Sequence, residues 1–230
     1  MTLLAVAAVA FILLHLLVSG TRLRDALTGA IGEGPYQGLF SLASVACLAW
    51  LIIAFSPART AADNQTFWTV TPLTRDVQLG LTLIAFLLAV PGLLTPNPTS
   101  IRQESVLDKP EAIRGMLRIT RHPFLWGVAI WAAGHLMVHG DVAAMILFGS
   151  LLMLALFGTA SIDAKRRRAL GARWDAFAAK TSNLPFAAIL SRRQKLKIGE
   201  IGWWRLALAV ALWVGMLFAH PYAFGVQAAP

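Results

Sequence analysis

MLRITRHPFLWGVAIWAAGHLMVH, residues 116–139, sets the terms for the rest of the chain. Arg114 stands just ahead of it, and Arg118, Arg121 and His122 form a basic collar before Pro123. Proline suits the first turn of a helix, where its missing N–H costs nothing. From Pro123 the sequence is apolar for about four turns until His135, twelve residues on. That distance is roughly 18 Å at 1.5 Å per residue. An ionisable ring deep in an apolar helix is a functional-site hypothesis by default.

Composition sets the environment of that helix. The chain has 230 residues, 57% of them apolar and only 13% charged, against about 25% charged in soluble domains. It reads as an integral membrane protein. The single cysteine, Cys47, excludes an intrachain disulfide. The net charge of +9 is accounted for by lysines and arginines facing anionic lipid. No basic patch with interleaved aromatics points to nucleic acid, so the partner implied is the lipid bilayer.

Six runs approach the roughly 20 apolar residues that cross a bilayer: Leu3–Ser19, Gly38–Phe55, Val77–Leu94, Pro123–Val138, Val142–Ile162 and Trp203–Ala219. The first lacks a basic leader and carries His15 mid-run, so it reads as a retained span rather than a signal peptide. The connections carry two, two, five, zero and ten Lys or Arg in order, and Arg205 opens the last span. The positive-inside rule puts the first, third and fifth loops in the cytoplasm and both termini outside. The expected fold is therefore all-α: a polytopic membrane helical bundle of about six transmembrane helices, one domain over residues 1–230, in a bacterial inner membrane. In the long fifth loop, Leu170, Trp174 and Phe177 fall at i, i+4, i+7. Lys165 to Ala179 is expected to form a basic amphipathic helix on the inner surface.

Five histidines carry what chemistry the residues suggest. His15 is the one strongly polar side chain of the first span, and His135 holds that position in the fourth. A buried neutral imidazole is costly unless hydrogen-bonded or metal-bound. Two on different helices can supply both axial ligands of a haem; alternatively, each donates to a neighbouring carbonyl. On ideal helices with the termini outside, their depths differ by about 10 Å or more. Arg121 and His122 read either as an interfacial anchor or as a site for phosphate, carboxylate or a haem propionate at a helix N-terminus. Asp163 pairs either with the Lys165–Arg168 cluster or with that collar. His139 reads as a solvated end residue and His220 as the close of the last span. There is no P-loop, HExxH, GxGxxG after a strand, or activated nucleophile.

Longer stretches carry a resemblance. IGEGPYQGLFSL (31–42), VLDKPEAIRGMLRITRHPFLWG (106–127), WAAGHLMVHGD (131–141), IDAKRRRALGARWDAFAAKTSNLPFAAI (162–189) and FAHP (218–221) resemble the NnrU family over nearly the whole chain. That family is named for a link to nitric oxide and nitrite reduction, and it includes 15-cis-zeta-carotene isomerase. The resemblance implies haem b (iron) held by His15 and His135, and redox-dependent cis–trans isomerisation of a carotenoid-like, apolar polyene. It equally admits a non-catalytic haem partner or sensor in denitrification. Ala132 stands where the isomerase has a cysteine thought to act as an alternative ligand, so a thiolate exchange does not carry over. RHPFLWG, the following acid and TSNLPF are also similar to isoprenylcysteine and phospholipid methyltransferases, which bind S-adenosylmethionine. Here Trp174 and Phe177 replace the tyrosines of that pattern.

Overall fold

A computed structural model describes residues 1–227. It contains ten α-helices among the described residues: α1 (Thr2–Leu13), α2 (Arg22–Ile31), α3 (Glu33–Arg59), α4 (Pro72–Leu93), α5 (Met116–Ile119), α6 (Pro123–Val138), α7 (Val142–Leu170), α8 (Ala172–Lys180), α9 (Ala187–Leu190) and α10 (Trp203–Phe224). The β structure among these residues is one isolated bridge, Thr66 to Asp141.

Local chemistry sets several boundaries. Thr71 and Thr74 form a reciprocal capping box, and Pro72 opens α4. The Asp141 carboxylate accepts from the Ala144 N–H at 3.0 Å and starts α7. Gly171, at φ +53°, ends that helix, so the basic helix expected over Lys165 to Ala179 is two pieces. Its first part is the end of α7 and its second is α8. Trp174 and Phe177 are buried against Leu117 rather than lying on a membrane surface, because that apolar stripe finds a protein partner.

Four helices are long and apolar enough to cross a membrane: α3, α4, α7 and α10. The first expected span, Leu3–Ser19, is helical from Thr2 to Val18. α1 continues as a π turn, Leu14–Val18, and the chain then bends by 77° into α2; counted as one unit, this pair makes a fifth candidate. α6 has the boundaries expected from the sequence, but its 16 residues reach about 24 Å, short of a hydrocarbon core of about 30 Å.

The lateral order is α10, α4, α6, α7, α1, with α3 against both α1 and α7. α6 thus lies in the middle of the bundle. It can approach α4 closely because Gly127 faces the Ala85 carbonyl and Ala89, where a Cβ would come within 2.7 and 2.8 Å. The main apolar core joins Leu4, Ala8 and Phe11 of α1, Leu51 of α3, Ala132 of α6 and Phe148 of α7. On the outside, Ile53 of α3 and Phe218 of α10 are 70% and 74% exposed, as lipid-facing side chains would be.

Candidate functional site

His135 sits near the end of α6 in an aromatic nest. Its ring stacks on Phe148 of α7 at 4.8 Å and meets Trp131 at 4.4 Å. One turn on, His139 lies nearly parallel to it at 6.3 Å. His135 Nδ1 is 2.8 Å from the Trp131 carbonyl oxygen. A carbonyl only accepts, so Nδ1 carries the proton and Nε2 is the free base.

His15 repeats this arrangement on the π turn. Its Nδ1 donates to the Phe11 carbonyl at 2.8 Å, and its ring packs on Phe11 at 4.5 Å and on Phe40 at 5.4 Å. Isolated π turns occur disproportionately at functional positions. Neither Nε2 has a hydrogen-bond partner among the described residues. A donated Nδ1–H and a free Nε2 are what a ligating histidine requires, since the carbonyl fixes the tautomer and ring orientation.

The two rings do not share a level. α1 and α7 run in the same direction, with Met1 and Ala143 both near Asp63–Asn64. At their other end Gly20 packs against Ser161, so tightly that a Cβ would overlap its hydroxyl. His135 meets α7 at Phe148, 13 residues before Ser161, and His15 precedes Gly20 by five. The histidines are therefore about two turns, roughly 12 Å, apart along the bundle. His220 was given little weight from sequence, but its Nδ1 donates to the Val226 carbonyl at 2.8 Å.

Arg121 and His122 are drawn together by Asp163. His122 Nε2 is 2.7 Å from Asp163 Oδ1, and Arg121 places one terminal nitrogen 2.6 Å from Oδ2 and Nε 3.4 Å from Oδ1. The remaining guanidinium nitrogen donates to the Thr181 hydroxyl and the Ala178 carbonyl. His122 is 2% exposed and Arg121 9%. Of the two pairings the sequence offered Asp163, the one with Arg121 and His122 is formed, and it makes a closed clasp: an anion could bind there only by displacing Asp163.

The clasp continues through the backbone. Arg121 N–H donates to Ser182 O and Phe186 N–H to Ile119 O, both at 2.9 Å. The Thr120 hydroxyl and the Trp126 indole N–H donate to the Asn183 carbonyl. Segments 119–126 and 181–186 therefore lock together and fix the start of α6. Sequence reasoning missed Asn183, whose side chain also donates to Thr159 of α7; no local signal marks it.

Ala132 is fully buried in the main core, one turn before His135. No group of three or more His, Cys, Asp or Glu side chains with metal-site geometry occurs among the described residues.

The family model described as NnrU protein matches residues 3–228. The chain is similar to chloroplastic 15-cis-zeta-carotene isomerases: 30% identical over 207 residues to that of Zea mays, covering 86% of this chain and 55% of the relative. For that of Arabidopsis thaliana the identity is 29% over 213 residues, covering 89% and 56%. The chain thus spans about half the length of the curated relatives it matches. No solved structure matches it.

Proposed function

The chain belongs to the NnrU family, and on that premise we propose that it is a membrane isomerase. It holds haem b through His15 and His135 and acts on the double bonds of an apolar, carotenoid-like polyene. The observation that carries this reading is the shared state of the two rings, each with Nδ1–H donated to the carbonyl one turn earlier and Nε2 left free. The activity for which the relatives are named, isomerisation of 15-cis-zeta-carotene, supplies the substrate class. The six expected runs, with both termini outside a bacterial inner membrane, complete the proposal.

When bound, haem supplies a Lewis-acidic, one-electron centre. The remaining work belongs to this chain. Trp131 and Phe148 hold the His135 ring in one orientation and keep water from it. Ala132 offers no second donor beside it. The π turn at Leu14–Val18, which follows α1, carries His15 and holds its Nδ1 on the Phe11 carbonyl. The Asp163 clasp anchors the basic end of α6 and so fixes the height of His135.

The test is conversion. Purified protein in mild detergent, with haem supplied during expression, is incubated with a cis polyene under reducing conditions and the isomers are separated by chromatography. Conversion to the trans isomer is expected, lost in His135→Ala. An unchanged isomer ratio with reduced, haem-loaded wild-type protein would sink the reading.

A further inference from the structure

A cleft of about 370 Å³ opens at the basic end of the bundle, away from both proposed haem ligands. Six cationic side chains line it: Lys109, Arg114, Arg118, Arg173, Lys180 and Lys197. The carboxylates in its lining are two, Glu111 and Glu200. These residues come from four separate segments: the turn after Glu104–Asp108, the approach to α5, helix α8, and the stretch before α10.

The local folding explains why the charges converge. Helix α8 buries Trp174 and Phe177 against Leu117, which turns Arg173 and Lys180, seven residues apart, towards the cleft. The opposite wall is braced by a bidentate pair, Arg118 Nε to Glu200 Oε2 at 2.7 Å and a terminal nitrogen to Oε1 at 3.0 Å. Glu200 also holds Lys197 at 3.3 Å, Glu111 takes Arg114 loosely at 3.9 Å, and Asp108 takes Arg173. Both lining carboxylates are therefore occupied. Lys109 and Lys180 are solvent-exposed and form no ion pair among the described residues.

We propose that this cleft is a binding site for a phosphate-bearing anion, with Lys109 and Lys180 as its open donors. A single unpaired lysine on a surface is ordinary. Two that face one cleft, in a lining with six cations against two carboxylates, create a positive potential that an anion relieves. The same chemistry is offered by an anionic phospholipid headgroup at the membrane surface and by a soluble phosphate ester. The site is independent of the haem reading.

The experiment titrates full-length protein in mild detergent with dihexanoyl-phosphatidylglycerol, dihexanoyl-phosphatidylcholine and inorganic phosphate, followed by calorimetry. Phosphatidylglycerol is expected to bind and phosphatidylcholine not to. In Lys109→Gln/Lys180→Gln the dissociation constant should rise about 25-fold, from roughly fivefold for each lysine. Lys195→Gln, an exposed cation outside the cleft, should change nothing. Inorganic phosphate that binds as tightly as phosphatidylglycerol and is weakened equally by the double substitution would assign the same site to a soluble phosphate ester. Equal binding of phosphatidylcholine, or undiminished anion binding in the double variant, would overturn the proposal.

Discussion

Asp163 Oδ1 lies 2.7 Å from His122 Nε2, while Oδ2 of the same carboxylate lies 2.6 Å from Arg121. One acid near the end of α7 thus takes both basic residues that precede α6. Breaking a buried ion pair by removing one partner costs about 3–5 kcal/mol, because the other charge stays buried and uncompensated. Asp163→Asn should therefore lower stability by about that amount in detergent denaturation, and Asp163→Glu by less. A variant as stable as the wild type would show that the clasp does not anchor α6.

His122 provides a second, separable readout. Its Nε2, the nitrogen left free on His15 and His135, is spent on Asp163. His122→Asn should reduce the unfolding midpoint yet leave the haem spectrum unchanged. Loss of the Soret band in a folded His122→Asn protein would make His122 a ligand instead.

Close approach of α4 and α6 predicts opposite outcomes for two glycines. A Cβ on Gly127 would lie 2.7 Å from the Ala85 backbone carbonyl, whereas on Gly134 its nearest neighbour is a side-chain atom at 3.5 Å. Overpacking a tight contact costs about 1–3 kcal/mol. Gly127→Ala should fall in that range and Gly134→Ala should be near neutral, as measured by thermal unfolding of the two variants. Equal stabilities would contradict the packing.

Glu200 gives a pH dependence. The hydrogen bonds and charge of Arg118 hold its carboxyl at about 2, against an ordinary 4.5, with help from the Gly115 N–H and Lys197. A depressed acid contributes stability that is fully present above its unfolded value and lost as pH falls through its folded value. Wild type should therefore exceed Glu200→Gln by a constant margin above about pH 5, and the margin should close between pH 4.5 and 2. A gap unchanged at pH 2 would rule out the ionised pair as its source.

How far the sequence reaches can be judged residue by residue. Pro123 marked the start of α6 because proline geometry is a local signal, and the apolar run marked the start of α7 at Val142, although the Asp141 cap that fixes it went unread. The aromatic nest around His135 was half legible: Trp131 is one turn away on the same helix, but Phe148 arrives from α7 by packing. The end of the first span at Ser19 was legible because the apolar run stops there before Gly20. The short helix Arg22–Ile31 beyond the bend was not, since it is too short and polar to show as a run. The amphipathic stripe of Leu170, Trp174 and Phe177 was read correctly as a stripe and assigned the wrong partner. Periodicity shows that a face is apolar and not what covers it. The locking of 119–126 onto 181–186 spans about 60 residues and rests largely on backbone groups, which every residue possesses. For the same reason, charges on four separate segments gave no hint of a common cleft.

The most direct measurement is the absorption spectrum of the purified protein, oxidised and dithionite-reduced, in wild type, His15→Ala and His135→Ala. A Soret band that shifts on reduction, with sharp α and β bands, is expected in the wild type and should be lost or altered in each variant. A colourless protein after haem supplementation, or a spectrum indifferent to both substitutions, would contradict ligation by His15 and His135.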